Sequence, residues 1–335
     1  MNIDKPLVTI CMMTYNQEKY VKEALLSVLN QSYDNLEIII SDDCSKDGTW
    51  AIIETEVDRY LGQGGMHRNI LLNRNQKNVG VAKNFELILS KCHGELVVCQ
   101  AGDDISMLDR VERIVQAWER HPDAMVFCHG AYHINPQGNR TSNAVVRTDA
   151  LFPMGAMMAY SERVFKEFET ITESGAWEDD VYSHRALMLG DAVQIDEPLL
   201  LYRIGGEGLS SGCGDIVKRR SKVSSGCLSS ARQSRIDLEF CRAKIGESKY
   251  VKIREMLDWY EMRYKNEIIL YNSKNLIERF YNFHKMCSSY KIFRKFKVLI
   301  YLRLFLILFL PMCIVRGIRS VRVSFARRQN NAKGD

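Results

Sequence analysis

Four short apolar runs, each followed by a helical pattern, constrain this 335-residue chain more than any other feature. Residues 7–12 and 36–41 have strand length and little polar content, as strands buried on both faces do, and 69–73 and 95–100 read as a short third and a fourth strand. Behind the first, apolar residues recur at Tyr20, Val21, Ala24, Leu25, Val28 and Leu29. Behind the second come Trp50, Ile53, Val57, Tyr60 and Leu61, with Ser45 or Asp47 as the expected N-cap. Val81, Phe85, Ile88 and Leu89 follow the third run, and Leu108, Val111, Ile114, Val115 and Trp118 follow the fourth. Each set marks one buried helix face. Strand and helix alternating over the first ~120 residues predict an α/β fold with a mostly parallel, doubly wound sheet.

Two of these strands end in paired acids. Leu36-Glu37-Ile38-Ile39-Ile40-Ser41 runs into Asp42-Asp43, and the 95–100 run into Ala101-Gly102-Asp103-Asp104. Ligands of open α/β sheets bind beyond the carboxyl ends of the strands. One such pair can equally end a strand and cap a helix. Two pairs at one sheet edge predict a single acidic cleft.

From residue 125 the pattern changes. Residues 125–129 and 157–160 read as strands with a Pro136-Gln137-Gly138 turn between them, and 161–168 as a short helix. Glu178-Asp179-Asp180 opens a further helix, where acids face the positive end of the helix dipole. Residues 198–204 close the region before a Gly- and Ser-rich stretch. Beyond Cys213 the chain turns helical, with Tyr250, Ile253, Leu257, Tyr260, Tyr264, Ile268 and Tyr271 on a packing face.

Ten scattered cysteines without a CxxC pair, and an N-terminus lacking an apolar signal core, predict free thiols in a reducing cytosol and no structural zinc. Charge is uneven. Residues 285–335 hold 12 Lys or Arg against one acid, which leaves 34 basic and 40 acidic side chains elsewhere, a net of −6. An anionic partner therefore belongs to the tail. Residues 298–315 are apolar except Arg303 and are interrupted by Pro311. That is the lower limit of a membrane span, and the Arg, the Pro and the basic flanks favour a segment lying in the interface of an anionic leaflet. A soluble core helix is the plain alternative. Nucleic acid is not expected as a partner, because its contacts rarely accompany a long Leu/Phe/Ile run. The helical tail can serve a homodimer as readily as pack on its own domain.

Six segments stand in order: Pro6-Leu7-Val8-Thr9-Ile10-Cys11-Met12-Met13-Thr14-Tyr15-Asn16-Gln17; Ser41-Asp42-Asp43-Cys44-Ser45-Lys46-Asp47-Gly48-Thr49; Asn78-Val79-Gly80-Val81-Ala82-Lys83-Asn84; Gly102-Asp103-Asp104; Glu178-Asp179 with Arg185; and Tyr202-Arg203. Together they resemble the family-2 glycosyltransferases, nucleotide-sugar-dependent enzymes of GT-A fold, over residues 6–211. Cys44 stands where that family's acidic signature usually has Gly. Ala101 replaces the first acid of its Asp-x-Asp-Asp pattern, and Gly205 replaces a His that commonly follows Tyr-Arg.

The resemblance implies a catalytic domain over 1–212 (1–120 for the nucleotide sugar, 121–212 for the acceptor), while the helical region over 213–335, with its membrane-associating part at about 285–328, is expected from the apolar and basic pattern alone. It implies Asp179 as general base, Asp104 as ligand of Mg²⁺ or Mn²⁺ with Asp103 assisting, and Asp43 as acceptor from a base imide N–H. Tyr15 suits stacking on the base beside Thr14, Lys83 suits a charge near the phosphates, and Glu178 suits orienting the acceptor. The expected function is inverting transfer from a nucleotide sugar, foremost a UDP-sugar, to a glycan or lipid-linked acceptor at the cytoplasmic face of the cell membrane. A catalytically silent nucleotide-binding scaffold is the alternative from another class. A nucleotidyltransferase would want a Gly-rich phosphate loop after the first strand, and Thr14-Tyr15-Asn16 is not one.

Overall fold

The computed structural model describes residues 5–64, 68–205 and 216–273, together with 275, 278, 281 and 282. Its first half runs β1 (Val8–Thr14), α1 (Val21–Leu29), β2 (Leu36–Asp42), α2 (Thr49–Gly62), β3 (Asn69–Arg74), α3 (Val81–Leu89), β4 (Leu96–Ala101), the short β5 (Ile105–Ser106) and α4 (Arg110–Arg120). The second half adds β6 (Ala124–Ile134), β7 (Arg140–Arg147), a 3₁₀ turn (Gly155–Met157), β8 (Met158–Ser161), α5 (Arg163–Lys166), α6 (Glu178–Leu189) and β9 (Asp191–Arg203). Helices α7 (Ile216–Ile245) and α8 (Glu247–Asn272) follow.

The strands lie in the order β3-β2-β1-β4-β8-β6-β9-β5, with β7 beside β6. The first four run parallel, as the alternation predicts. The rest corrects a mostly parallel sheet to a mixed one. Helix α4 returns the chain so that β6 runs in the direction of β4, and β8 inserts between them antiparallel to both. β5 and β7 are also antiparallel to their neighbours, while β9 runs parallel to β6. Hydrophobic periodicity identifies a strand without naming its neighbour.

The period of two within the strands loads both faces of the sheet. Val8, Ile10, Met12, Leu36, Ile38, Ile40, Leu96 and Val98 face a core shared with α1, α2 and α4. Cys11, Ile39, Val97 and Cys99 face the opposite core, with Phe85 and Ile88 of α3 and Tyr182 and Ala186 of α6. One expected helix position fails. Leu108 precedes α4 and is 64% exposed, whereas Arg110 takes the inward position at 1%.

Met1–Gly214 and Gly226–Asp258 form one compact unit, and Asp215–Ser225 with Trp259–Asp335 a second. In the first, Leu238, Cys241, Tyr250, Ile253 and Leu257 close over Phe168 and Met188. Gly226 permits that approach, since a Cβ there would collide with the Trp177 indole. In the second, Ser224 donates to Glu267 (2.8 Å), and Tyr260 meets Trp259 edge to face and Tyr264 at a tilt. Among the described residues no helix is long and apolar enough to cross a membrane, and all described cysteines are free. The expected interfacial stretch, 285–328, lies outside the described residues.

Candidate active site

Strands β1 and β2 end side by side, with Thr14 opposite Asp42. The loops that leave them are laced together: Asn16 N–H donates to Ser45 Oγ (2.9 Å), and Asn16 Oδ1 accepts from Lys46 N–H (2.8 Å). Both loops turn through the left-handed region, at Asn16 (φ 51°) and Cys44 (φ 61°). That conformation costs an ordinary L-residue about 1–2 kcal/mol, and it is the physical reason a glycine suits position 44.

The two acids after β2 divide. Asp42 is fully buried and accepts from Thr14 Oγ1 (3.1 Å), from Ser45 N–H (2.9 Å) and from the Ser45 hydroxyl. Gly48, not Ser45 or Asp47, is the N-cap of α2, and Asp47 just before it accepts from the Thr49 N–H (3.1 Å) and hydroxyl (2.6 Å). Asp43 donates its N–H to Thr14 O (2.9 Å), and its carboxylate accepts from Asn75 Nδ2 (2.9 Å), Val79 N–H (2.8 Å) and Gly80 N–H (2.9 Å). Asn75 also donates to Asn84 Oδ1 (2.9 Å), which accepts from Ser41 Oγ (2.6 Å). The Asn78–Asn84 segment is thereby fixed to the end of β2, with Asp43 holding the start of α3. A carboxylate has about four acceptor positions, so Asp43 keeps one on Oδ2. Tyr15 is 42% exposed at the same edge. Lys83 is exposed on α3 and pairs with Glu86 (3.1 Å).

The second acid pair follows β4. Gly102 donates to Met13 O (3.0 Å), and a Cβ on it would meet Thr14 Cγ2 at 2.8 Å, which brings β4's end against the β1 loop. Asp104 is 2% exposed and accepts from Arg203 N–H (2.7 Å). Burial, followed by the charge of Asp103, pushes its carboxyl pKa well up. Arg203 closes this corner: it donates to the carbonyls of Asp103 (2.8 Å), Asn135 (3.1 Å) and Pro136 (3.0 Å) and to Glu23 (3.0 Å), and lies 4.5 Å over the Tyr20 ring.

Glu178 and Asp179 open α6 on the other side of the 3₁₀ turn. Asp179 Oδ2 accepts from Gly155 N–H (3.2 Å), and burial raises its pKa to about 6 against the backbone N–H groups that lower it. Glu178 is pushed up to about 8 by burial and by Asp179, and its Oε2 has no hydrogen-bond partner. A cavity of about 10 Å³, one water's worth, lies among Phe85, Cys99, Gly155, Tyr160 and the two acids. A larger depression of about 310 Å³ at the far end of α6, lined by Arg163, Lys244 and Lys249 among others, contains none of these residues.

Two arginines carry the frame. Arg185, two turns after Glu178, does not join the acids: it binds Asp237 of α7 through both oxygens (2.7 and 3.1 Å) and stacks on Phe168 and Tyr182. Arg110 reaches Gln100, Ser106, His129 and the carbonyls of Cys99 and Ala156 from beneath the cleft. Neither Arg110 nor Gly155 belongs to any of the six segments or stands out in the sequence. The only signal was that a charge occupied a position next to Val111.

Among the described residues no group of three or more His, Cys, Asp or Glu is placed to hold a metal ion. Asp103 and Asp104 nevertheless suit magnesium or manganese, which one or two carboxylates retain with waters and substrate phosphates as the other ligands.

Residues 9–174 match the family model described as Glycosyl transferase family 2. Through these residues the chain belongs to glycosyl transferase family 2. The match stops before Glu178, so the family covers the donor-side acids and not the pair on α6. The putative glycosyltransferase EpsE of Bacillus subtilis is 35% identical over 116 residues, 35% of this chain and 40% of that protein. An uncharacterized Haemophilus influenzae glycosyltransferase is 31% identical over 39% of this chain and 48% of its own. The chain thus spans less than half the length of these relatives. S. aureus TarS 1–349 in complex with UDP-GlcNAc has a TM-score of 0.57 at 17% identity, covering 84% of this chain and 80% of its own, a likeness of fold alone. This family-2 domain has the mixed α/β sheet of the GT-A fold.

Proposed function

We propose that the chain is an inverting glycosyltransferase that moves a sugar from a nucleotide sugar to a hydroxyl of a membrane-borne glycan or lipid-linked acceptor. The observation that carries the reading is Asp179: a partly buried carboxylate with a pKa of about 6, beyond the β1 and β4 ends, beside a water-sized cavity. A base poised near the working pH suits abstraction of a hydroxyl proton. The acceptor oxygen attacks the anomeric carbon opposite the leaving group, its proton passes to Asp179, and the C–O bond to phosphate breaks with its electron pair leaving on the nucleoside diphosphate. One displacement inverts the centre, and no second catalytic carboxylate is needed.

Asp43 offers its remaining acceptor position to a base imide, with Thr14 beside it and exposed Tyr15 available for stacking. Asp104, with Asp103, would hold a divalent cation, which when bound supplies charge neutralisation for the diphosphate. Lys83 can leave Glu86 for the phosphates, and Glu178 can orient the acceptor. A uridine donor is the first choice. TarS has been crystallised with UDP-GlcNAc, and the Pyrobaculum calidifontis mannosyltransferase PcManGT, at TM-score 0.56 and 15% identity, with GDP-Man and Mn²⁺, so the base is an open variable. A binding screen against UDP-, GDP-, dTDP- and CMP-sugars with and without Mn²⁺ tests this. Preferential, metal-enhanced binding of one nucleotide sugar supports it; binding of none contradicts it.

A second reading, nucleotide binding without turnover, draws on Ala101 and Gly205 at two positions where the family commonly carries acid and His. Release of nucleoside diphosphate from the bound donor decides between them. We further propose that residues 285–328 anchor the chain to the cytoplasmic face of an anionic membrane. Sedimentation with anionic but not with neutral vesicles is the expected result, and equal binding to both contradicts it.

A further inference from the structure

The structure assigns Arg110 as the positioning residue for Asp179, acting through the 3₁₀ turn: its guanidinium holds the Ala156 carbonyl, and the turn so fixed directs the Gly155 N–H onto Asp179 Oδ2. The inference rests on reading Asp179 as the general base. Arg110 is 1% exposed, and all five of its donors are used. Nε donates to His129 Nε2 (3.0 Å), Nη1 to Gln100 Oε1 (2.9 Å) and Ser106 Oγ (3.0 Å), and Nη2 to Cys99 O (2.8 Å) and Ala156 O (2.7 Å).

Every one of these partners is neutral. His129 must carry its proton on Nδ1, which faces Gly130 O at 2.8 Å, because Nε2 accepts from a permanent donor. A guanidinium whose five donors all meet neutral acceptors, with Asp104 acting on it only through its charge, gains little from those bonds beyond the offset of its desolvation. Geometry gives it another use. Cys99 lies on β4 and Ala156 in the turn, so Nη2 ties the cavity's two walls together. Gly155, the first residue of that turn, donates its N–H to the carboxylate at 3.2 Å. A Cβ there would make ordinary contacts, 3.5 Å from Asp179 Cβ, 3.6 Å from Glu178 Oε1 and 3.7 Å from Asp179 Oδ2, so alanine is accommodated between the two acids.

A hydrogen bond to the charged form of a carboxyl lowers its pKa. Glu178 and Asp180 face Asp179 from its own helix, Cys99 from β4 and Tyr160 from β8. Burial keeps the Cys99 thiol and the Tyr160 hydroxyl neutral through the titration. The Gly155 N–H is therefore the one donor supplied to Asp179 from outside its own helix among the described residues.

The test follows the Asp179 carboxyl by ¹³C NMR in the full chain without substrate, its signal assigned by loss in Asp179→Asn. Gly155→Pro removes the N–H at the first position of a turn preceded by the extended Met154 (φ −126°, ψ 102°), a backbone that admits proline, and its ring Cδ takes the hydrogen's place against Asp179 Oδ2. Gly155→Ala keeps the N–H and controls for the added carbon. The midpoint is expected about one pH unit higher in Gly155→Pro than in Gly155→Ala, and higher than wild type by a similar amount in Arg110→Gln. Arg110→Lys, which keeps the charge but not the planar fork, should shift it likewise and serves if the glutamine variant does not fold. An unmoved midpoint in a folded Arg110 variant overturns the positioning role, and equal midpoints in the two Gly155 variants overturn the N–H as its agent. Neither result depends on sugar transfer. A wild-type chain that releases no nucleoside diphosphate overturns the reading of Asp179 as base and leaves this linkage standing.

Discussion

Asp179 sits at the balance of two opposed effects, burial that raises its pKa to about 6 and N–H donors that lower it. A general base works deprotonated, so the sign is fixed: kcat/KM should fall as pH drops through about 6 and level off above it. A profile flat from pH 5 to pH 8 would contradict the role. Cys44 permits a second test at this scale. Glycine in its place removes the left-handed strain of about 1–2 kcal/mol but adds backbone entropy to the unfolded chain worth about half to one. Cys44→Gly should stabilise by up to about 1 kcal/mol in thermal or urea unfolding, and a destabilised variant would refute this account of the loop. That Asp42–Asp43 and Asp103–Asp104 stand at strand ends was legible because each pair follows a short apolar run. Arg110 was not, since a lone charge among helix residues normally faces water, and only the buried carbonyls of Cys99 and Ala156 give it a reason to turn inward.

Between elements, α6 and α7 are held by one buried ion pair, Arg185 at 1% and Asp237 at 7% side-chain exposure. Removing one partner leaves an unpaired buried charge, which costs roughly 3–5 kcal/mol. Asp237→Ala should lose that much in urea unfolding, and the double variant Arg185→Leu with Asp237→Leu should recover most of it. A single variant costing under about 1 kcal/mol would show the pair to be dispensable. The helices and the four parallel strands were readable from periods of 3.6 and 2. β7 was not, because Arg140–Arg147 is exposed and largely polar, without apolar alternation. β9 was read from residue 198 onward only, since Asp191, Gln194, Asp196 and Glu197 give its first half no buried face. The place of β8 between β4 and β6 depends on partner choice, which no local period encodes.

At the scale of the molecule, the sheet has a parallel half built from residues 8–101 and a mixed half that brings α6 and its acids to a cavity lined by Cys99 of β4 and Tyr160 of β8. The family match ends at residue 174, so it reaches through β8 and α5 and leaves α6 and β9 to geometry. The central claim is thus that Asp179, beyond the matched region, performs the chemistry for a donor bound within it. The direct test is release of nucleoside diphosphate from the nucleotide sugar selected by the binding screen, at saturating donor, in wild type and in Asp179→Asn. The account predicts unchanged donor affinity and a rate lower by about 10²–10⁴ in the variant. Release at the wild-type rate from Asp179→Asn would contradict it.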